Sequence, residues 1–237
     1  MKAVILAAGV GSRIAETAGN MPKPLVPVLG VPILGRIFED LRNEGVTDVL
    51  ITTGYEADQI KEYAKGEAGH GLSITFVHNP KFSDTNYIYS LWLARGSLND
   101  DLLLFHGDML YDPSLLQTLL APATSAVLVQ REGELPQKDF KARVQNDRVT
   151  EIGVNVFGED AHACMPIYRL LQADALRWMK RIDQYVQRGN VKSYAEDALN
   201  ELLSDIHLAA AYYQDELCME VDTKADLQTA EKLLQSI

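Results

Sequence analysis

The sequence is poor in cysteine, in basic residues and in long apolar runs, and each shortage excludes a class of protein. Its 237 residues include only two cysteines, Cys164 and Cys218, which have neither the number nor the spacing of a disulfide framework or a zinc site. The apolar N-terminal stretch from Ala3 to Ala8 is too short for a signal-peptide core or a membrane span. We therefore expect a cytoplasmic protein without a membrane partner and without chemistry at its thiols.

Basic residues are outnumbered by acidic ones. The chain has 22 Lys and Arg against 33 Asp and Glu, a formal net charge of −11, which argues against sequence-independent binding of nucleic acid or of an anionic membrane. The distribution is uneven: residues 1–30 contain Lys2, Arg13 and Lys23 against a single acid, whereas acids dominate residues 193–237. The N-terminal part is therefore suited to binding an anion, and the C-terminal part offers carboxylates that could bind a metal ion.

No part of the chain is biased enough in composition to indicate a linker or disorder. Hydrophobic residues make up 47% of the sequence and charged residues 23%, which is typical of a globular domain. A chain of this length buries a full core. We expect one domain over residues 1–237.

The hydrophobic pattern alternates between strand and helix periods. Ala3 to Ala7 is a continuous apolar run that stops at a glycine-containing loop, as in a strand buried on both faces. Further strands are predicted at 48–53, 72–78, 101–106, 125–130, 207–213 and 218–221, and helices at 32–45, 56–65, 86–95, 113–120, 171–186, 194–203 and from 223. Segments 141–145 and 148–154 indicate a small antiparallel insertion.

Strands that alternate with helices imply parallel, right-handed crossovers. The sequence therefore predicts an α/β fold with an open, mostly parallel Rossmann-like sheet flanked by helices. In such sheets the ligand lies beyond the carboxyl ends of the strands.

A loop with two glycines follows the first strand, in Leu6-Ala7-Ala8-Gly9-Val10-Gly11-Ser12-Arg13. Its backbone amides can turn toward a phosphate while Gly9 and Gly11 allow close approach, and Arg13 can bind phosphate oxygens. The spacing matches neither the dinucleotide fingerprint nor the Walker loop. A tight turn without a ligand is the alternative.

Lys23 stands between two prolines in Pro22-Lys23-Pro24-Leu25, which restrict the backbone and can fix the direction of the cationic side chain. A solvated lysine in a turn is the alternative. Taken together, the loop and Lys23 resemble the signature of the nucleotidyltransferase family that includes sugar-1-phosphate nucleotidylyltransferases and cytidylyltransferases. The resemblance implies a nucleotide-diphospho-sugar transferase-like fold in which the loop wraps a triphosphate and Arg13 and Lys23 neutralise its charge.

The resemblance also implies a magnesium ion held by two acidic residues. Asp108 follows an apolar strand in Phe105-His106-Gly107-Asp108, and Asp222, in Met219-Glu220-Val221-Asp222-Thr223, resembles the family's late Asp before the last helix. Hard oxygen ligands beside phosphates are what magnesium prefers. A turn residue at Asp108 and a helix N-cap at Asp222 are the alternatives, and Glu220 and Asp112 are the nearest competitors.

A closer resemblance lies in Asn79-Pro80-Lys81-Phe82 followed by Thr85-Asn86-Tyr87-Ile88-Tyr89-Ser90-Leu91. This pattern is similar to that of the bacterial phosphocholine cytidylyltransferases and their relatives that act on other amino-alcohol phosphates or phosphonates. It implies CTP as the nucleotide. By the same resemblance, the residues around the base and ribose are Ala7, Ala8, Gly54, Tyr55 and Asn86, with Thr85 close by. A helix face packed on the core is the alternative for Tyr87, Tyr89, Leu91 and Trp92.

The acceptor side departs from choline recognition, which requires aromatic faces around a quaternary ammonium. Phe140 stands near one expected aromatic, but Glu196 and Asp197 offer carboxylates where further aromatics are expected. Carboxylates suit a primary ammonium, so a primary-amine acceptor is predicted to be preferred over phosphocholine. The solvated side of a helix is the alternative for both acids. If phosphocholine is the acceptor, the candidate cage is Phe140, Tyr168 and Tyr194.

Lys141 and Arg143 alternate on a strand-like segment, so both can face an acceptor phosphate or phosphonate. An exposed strand face is the alternative. The five histidines form no ligand set or triad, and most are expected to be structural. We divide the chain into a nucleotide-binding half, about residues 1–120, and an acceptor-binding half, about 121–237.

The predicted function is that of a magnesium-dependent cytidylyltransferase. It transfers CMP from CTP to phosphoethanolamine, 2-aminoethylphosphonate, phosphocholine or a similar small acceptor and releases pyrophosphate. One alternative is a sugar-1-phosphate or inositol-1-phosphate nucleotidyltransferase, and another is a non-catalytic regulatory subunit with the same fold. The sequence leaves the oligomeric state open, a homo-oligomer included.

Overall fold

The computed structural model describes residues 1–11, 13–14, 19 and 21–235. Its strands are β1 (Lys2–Ala7), β2 (Pro27–Val28), β3 (Val31–Pro32), β4 (Asp48–Thr53), β5 (Ser73–His78), β6 (Leu102–His106), β7 (Met109–Tyr111), β8 (Ser125–Gln130), β9 (Lys141–Gln145), β10 (Arg148–Gly153), β11 (Ala161–Leu170), β12 (Leu208–Tyr213) and β13 (Cys218–Glu220). Its helices are α1 (Ile33–Asn43), α2 (Ala57–Lys65), α3 (Tyr87–Ala94), α4 (Ser114–Leu120), α5 (Gln172–Gln187), α6 (Ala195–Asn200) and α7 (Lys224–Gln235). No helix in these ranges is long and apolar enough to span a bilayer.

Nine strands form one sheet in the order β5-β4-β1-β6-β11-β8-β12-β10-β9. The first four strands in this order are parallel to one another. Beyond them the sheet is mixed, because β11 runs antiparallel to β6 and β8 while β12 runs parallel to β8. The predicted α/β architecture is thus confirmed, and the carboxyl ends of β5, β4, β1 and β6 meet at one edge.

The core lies on both faces of the sheet, as alternation along β1 shows. Ala3, Ile5 and Ala7 pack on the face covered by α1, α2, α4 and α7, whereas Val4 and Leu6 pack on the face covered by α3, α5 and α6. Successive side chains of a strand point to opposite faces. An uninterrupted apolar run is therefore what this central strand requires.

The antiparallel insertion is a hairpin of β9 and β10, with Gln145 paired to Arg148. The two turn residues, Asn146 and Asp147, have φ values of +52° and +59°. A two-residue hairpin turn requires this left-handed backbone, which Asn and Asp adopt more readily than other side chains do. The hairpin joins the main sheet, because β10 also pairs with β12 and β9 with β11.

The longest of the described strands, β11, is absent from the sequence-based prediction, which places nothing regular between residues 154 and 171. It lies at the centre of the sheet. Pro166 interrupts its pattern, and the pairing with β8 is irregular between Met165 and Tyr168, around that proline. Proline has no N–H to donate and occurs within sheets at such bulges. Pro166 made the strand hard to predict from sequence, and it lies at the position where the hydrogen-bond pattern is irregular.

A two-stranded ladder of β7 and β13 lies outside the main sheet and pairs Met109 with Glu220 and Tyr111 with Cys218. The chain enters it directly after Asp108 and leaves it shortly before Asp222. We call it the carboxylate ladder, because it brings these two acids to the same place.

Candidate functional site

A cleft of about 190 Å³ opens at the carboxyl ends of β1, β4, β5 and β6, where the sequence predicts the ligand. The predicted nucleotide-binding residues that line it are Leu6, Ala7, Ala8, Gly9, Gly11, Lys23, Thr85, Asn86 and Asp108. Gly54, Tyr55 and Arg13 lie outside this lining. Ser12 falls outside the described residues.

Backbone hydrogen bonds join the end of β1 and the loop after it to the segments that follow β6 and β4, the two strands beside β1. The Gly107 N–H donates to the Leu6 carbonyl at 2.9 Å, and the Tyr55 N–H donates to the Ala8 carbonyl at 3.1 Å. A Cβ atom on Gly54 would lie 2.6 Å from the Ala8 carbonyl oxygen. Gly54 therefore supports the loop from behind, whereas Gly9 faces open space with no heavy atom within 4 Å of its Cβ position.

Lys23 lies in a short 3-10 turn and points into the cleft rather than into solvent. Its side-chain stem passes over Gly11, whose φ is +60° and whose Cβ position lies 2.4 Å from Lys23 Cγ. The ammonium donates to Asp108 Oδ2 at 2.9 Å and also to Asp222 Oδ1. The alternative of a solvated lysine is wrong, since the side chain is only 16% exposed.

Charge attraction sets the protonation of this cluster. Burial alone lowers the pKa of Lys23, but the charges and hydrogen bonds of Asp108 and Asp222 outweigh it, so the net pKa is raised. Burial likewise raises the pKa of Asp108, but attraction to Lys23 and His106 outweighs it and the net pKa is lowered. Both groups are therefore charged at neutral pH.

Asp222 is free to bind a cation because other residues cap α7. Thr223 Oγ1 accepts from the Asp226 N–H at 3.2 Å, while Asp226 Oδ2 accepts from the Thr223 N–H at 2.7 Å and the Asp222 N–H at 3.1 Å. This reciprocal pair is a capping box. The N-cap alternative for Asp222 is wrong, and its side chain instead contacts Lys23 and, at 2.5 Å, Arg13 Nη2.

The carboxylate ladder fixes Asp108 and Asp222 relative to one another. The Val221 N–H donates to the Asp108 carbonyl at 3.0 Å. Burial, and after it the nearby charges of Asp108 and Asp222, raises the pKa of Glu220 to about 8. Asp112, the other competitor, is used elsewhere: its Oδ1 accepts from the Ser114 N–H at 2.9 Å and from the Ser114 hydroxyl at 2.6 Å at the start of α4.

Acids outnumber bases at this edge. Burial and the charge of Asp222 raise the pKa of Asp139, so this carboxyl also lies near the cluster. The groups gathered here are the bases Arg13, Lys23 and Lys141 and the acids Asp108, Asp139, Glu220 and Asp222, and Glu220, with a pKa of about 8, is mainly protonated at neutral pH. A polyphosphate that takes Lys23 and Arg13 as partners would leave Asp108 and Asp222 in need of another cation.

Four rings form a continuous surface beside the cleft, which we call the aromatic wall: His106, Tyr87, Tyr194 and Phe140. Tyr87 packs edge-on against His106, with ring centroids 4.7 Å apart, and lies 6.2 Å from Tyr194. Phe140 packs edge-on against Tyr194 at 5.1 Å. The two rings considered for the acceptor, Phe140 and Tyr194, are thus joined by Tyr87 and His106, which come from the first half of the chain.

Glu196 lies behind the aromatic wall with 1% of its surface exposed. Its carboxylate accepts from the Tyr87 hydroxyl on one oxygen and from the Tyr168 hydroxyl, at 2.8 Å, on the other. The solvated alternative is therefore wrong for Glu196, and its oxygens already have donors. Tyr168 is 0% exposed, so it supports Glu196 from inside and cannot line a cage.

Asp197 has a local structural role. Its Oδ2 accepts from the Tyr194 N–H at 3.1 Å and closes the capping box of α6. Burial raises its pKa. The two adjacent acids thus differ: Glu196 supports the aromatic wall from behind, and Asp197 fixes the start of the helix that carries Tyr194.

Lys141 and Arg143 do not line the cleft. Lys141 is 0% exposed, and its ammonium donates to the carbonyls of Pro136 at 2.7 Å and Asp139 at 3.0 Å. The exposed-face alternative is therefore wrong for Lys141. Arg143 pairs with Glu151 at 3.1 Å and with Asp160. Both cations therefore have protein partners, and the structure does not present the two side chains together to the cleft.

Asn79 organises the other cleft wall, a role that the sequence-based site prediction lacks. It is buried, and its amide donates to Thr85 Oγ1 and to Ser90 Oγ, each at 3.1 Å. Asn86 is the residue before α3, and its Oδ1 accepts from the Tyr87 N–H at 2.7 Å. The position of Asn79 directly after β5 is a signal that could have identified it, since polar side chains at strand ends face the ligand edge.

Comparison with known proteins places these features in a family. A family model described as MobA-like NTP transferase domain matches residues 3–213. Among curated proteins, the CMP-5'-(3-aminopropyl)phosphonate synthase of Streptomyces rubellomurinus is 42% identical over 132 residues, which cover 55% of this chain and 21% of that protein. The choline-phosphate cytidylyltransferase of Streptococcus pneumoniae is 36% identical over 104 residues, 44% of this chain and 43% of that protein.

These matches cover less than half the length of both curated relatives. Among solved structures, the CTP:phosphocholine cytidylyltransferase of Streptococcus pneumoniae superposes with a TM-score of 0.81 at 22% identity, and the match covers 98% of each chain. At that identity the likeness establishes the fold.

Proposed function

Because the chain belongs to the MobA-like NTP transferase domain family, we propose that it transfers CMP from CTP to a small phosphorylated or phosphonate acceptor that carries a cationic nitrogen. The observation that carries this proposal is the convergence of Lys23, Asp108 and Asp222 at the mouth of the glycine loop. Two of the similar curated proteins are named for the joining of cytidylate to an aminopropylphosphonate and to choline phosphate.

The triphosphate would lie against the loop after β1. Gly9 opens onto free space, and Gly11 allows Lys23 to pass close to the backbone. Lys23 and Arg13 then exchange contacts with Asp222 for contacts with phosphate oxygens. The base and ribose would lie toward Thr85 and Asn86, which line the same cleft.

Magnesium fits the donor set of the cleft. Asp108 and Asp222 converge on one cationic point, now the Lys23 ammonium, and both offer hard oxygens. A site with two carboxylates, completed by phosphates and water, is what Mg²⁺ commonly uses. The ion would supply charge neutralisation and hold the phosphates, and it would offset the charges of Asp108 and Asp222 when Lys23 and Arg13 turn to the phosphates.

The reaction is an in-line substitution at the α-phosphorus of CTP. An acceptor oxygen forms the new P–O bond while the bond from the α-phosphorus to the bridging oxygen breaks, and pyrophosphate leaves with that electron pair. The acceptor oxygen is already anionic at neutral pH, so no general base is required. Catalysis rests on positioning and on stabilisation of charge by Lys23.

The aromatic wall, with the Glu196 carboxylate behind it, suits an acceptor with a cationic nitrogen. Aromatic faces attract ammonium groups, and a buried carboxylate within the same cluster increases the negative potential at the ring surface. Tyr194 is 38% exposed and therefore accessible. Tyr87 connects the two features, since its ring faces Tyr194 and its hydroxyl binds Glu196.

A screen of nucleotides against acceptors tests the proposal. Each of CTP, ATP, GTP and UTP is combined with phosphoethanolamine, 2-aminoethylphosphonate, phosphocholine, glucose-1-phosphate or inositol-1-phosphate in the presence of Mg²⁺, and pyrophosphate release is measured. We expect CTP with an amine-bearing acceptor to give the highest kcat/KM. The best rate with a sugar phosphate or inositol phosphate would assign the chain to that branch, and no release with any pair would support a non-catalytic protein.

A further inference from the structure

A second cavity, of about 250 Å³, lies between α1 and the far end of the carboxylate ladder. Its polar lining includes Asp40 and Glu39 of α1 and Tyr111 of β7, and its apolar lining includes Leu110, Leu217 and Leu234. It shares no described lining residue with the cleft. The proposed transfer reaction gives this cavity no role.

Asp40 is the unusual group in this cavity. Only 8% of its surface is exposed, yet the ion pairs within 4 Å among the described residues do not include it. Burial is the main cause that raises its pKa to about 6. A carboxyl that is ionised at neutral pH while buried without a close ion pair carries an unfavourable desolvation energy.

Tyr111 presents a second unsatisfied group to the same space. Its ring stacks on Phe105 in the core, with centroids 5.9 Å apart, and this contact fixes its direction. The hydroxyl is buried and makes no hydrogen bond of ordinary geometry within the described part of the chain, although it lies close enough to the Asp40 carboxylate that burial and this neighbour raise its pKa. Native structures rarely leave a buried hydroxyl in this state, and a ligand is one of the few reasons for it.

The charge of the lining favours a cation. Asp112 and Glu39 add negative charge around Asp40. Arg36 also lines the cavity, and its charge lowers the pKa of Asp40, but its Nη2 donates to the Val28 carbonyl at 2.8 Å and no ion pair within 4 Å joins it to Asp40 among the described residues. The described residues hold no cluster of three His, Cys, Asp or Glu that could bind a metal ion. An organic ammonium can donate three hydrogen bonds, and its alkyl part would contact Leu217 and Leu234.

We propose that this cavity binds a small primary alkylammonium ion, with the nitrogen at Asp40 and Tyr111 and the alkyl chain against the leucines. The nitrogen would form the close ion pair that the carboxylate lacks and would donate a hydrogen bond to the Tyr111 hydroxyl oxygen. The test of this site requires neither nucleotide nor acceptor. Its outcome is therefore independent of whether the chain catalyses the proposed transfer reaction.

Titration of the purified chain with n-butylammonium, followed by calorimetry at pH 7.5, tests the proposal. We expect saturable binding of one equivalent to the wild type and no binding of 1-butanol, which has the same chain without the charge. Asp40→Asn should weaken binding by about tenfold or more, as for loss of a hydrogen bond between charged groups. Tyr111→Phe should weaken it less.

Two control variants locate the site. Asp58→Asn changes a carboxylate that is 99% exposed, and Tyr194→Ala alters the aromatic wall; neither should change the affinity for n-butylammonium. Equal affinity in the wild type, Asp40→Asn and Tyr111→Phe would overturn the proposal, as would loss of binding in Tyr194→Ala, because the ammonium would then occupy the cleft. Tyr111→Phe retains the core ring, so this comparison stands even if Asp40→Asn folds poorly.

Discussion

Lys23 and Asp108 lie 85 residues apart in the sequence, and the Lys23 ammonium donates a 2.9 Å hydrogen bond to the Asp108 carboxylate. The lysine sits in a turn after β1, and the aspartate sits at the entrance to the carboxylate ladder. Opposite charges held in place by separate elements need little reorganisation when a substrate binds. Substitutions at this cluster should therefore affect turnover far more than folding.

Asp108→Ala and Asp222→Ala should each abolish measurable pyrophosphate release, because each removes one of the two carboxylates proposed to hold Mg²⁺. Thermal unfolding should still show one cooperative transition for both variants. Asp58→Ala, which removes a fully exposed carboxylate, is the matched control and should keep wild-type rates. Near-normal turnover in either variant at saturating Mg²⁺ would show that the residue is not a metal ligand.

Lys23→Ala should reduce kcat by roughly two or more orders of magnitude, the range for loss of a preorganised group that stabilises charge. The variant also leaves Asp108 and Asp222 without their shared cation, so its stability should rise when Mg²⁺ is added. Lys65→Ala, at an exposed position on α2, is the control. An unchanged rate in Lys23→Ala would remove the lysine from the catalytic site.

Gly54→Ala should raise the KM for CTP, because the added Cβ would lie 2.6 Å from the Ala8 carbonyl oxygen. The loop must move to relieve this contact, and the amides that face the cleft move with it. Gly96→Ala is the matched control, since no heavy atom lies within 4 Å of its Cβ position. If both variants show the wild-type KM for CTP, Gly54 does not position the loop.

Glu196→Gln should raise the KM for an amine-bearing acceptor by about tenfold and leave the KM for CTP unchanged. The amide is neutral, and it cannot accept from Tyr87 and Tyr168 on both of its polar atoms. Asp197→Asn keeps an oxygen for the Tyr194 N–H and should change neither KM. Equal acceptor KM values in Glu196→Gln and the wild type would show that the buried carboxylate does not act on the nitrogen.

The sequence was sufficient to predict features that depend on neighbouring residues. The apolar run of β1, the loop residues up to Gly11 and the Gly107-Asp108 strand end are local patterns, and the structure places them at the cleft as expected. Thr223 and Asp226 form a capping box that is also readable from spacing. This signal could have ruled out the N-cap alternative for Asp222.

Features that depend on distant partners were not predictable in the same way. Glu196 is charged and follows Tyr194 in a short helix, so its sequence context is that of a solvated side chain. Its burial depends on Tyr87, 109 residues earlier, and on Tyr168. The strand β11 was missed for a different reason, because a proline inside a central strand, such as Pro166, is tolerated only at a bulge.

Asp40→Asn should change the pH dependence of stability. The pKa of Asp40 in the folded chain is about 6, above the roughly 3.9 of an unfolded aspartate, so between these values the folded state binds more protons than the unfolded state. Linkage then requires that the contribution of Asp40 to stability falls as pH rises from about 4 to 6 and stays low above that range. The charges that face Asp40 are those of Glu39, Arg36 and Asp112, while Tyr111 remains neutral because burial raises its pKa.

Asparagine does not titrate, so Asp40→Asn should gain stability relative to the wild type as pH rises from 4.5 to 6.5, and the difference should level off by pH 7.5. Urea unfolding of both proteins at these pH values measures the change in the free energy of unfolding. Asp58→Asn is the control and should show no such trend, because its carboxylate is exposed in the folded chain. A difference between Asp40→Asn and the wild type that is constant across this range would mean that Asp40 titrates alike in the folded and unfolded states, and the desolvation proposed to favour an ammonium ligand would then be absent.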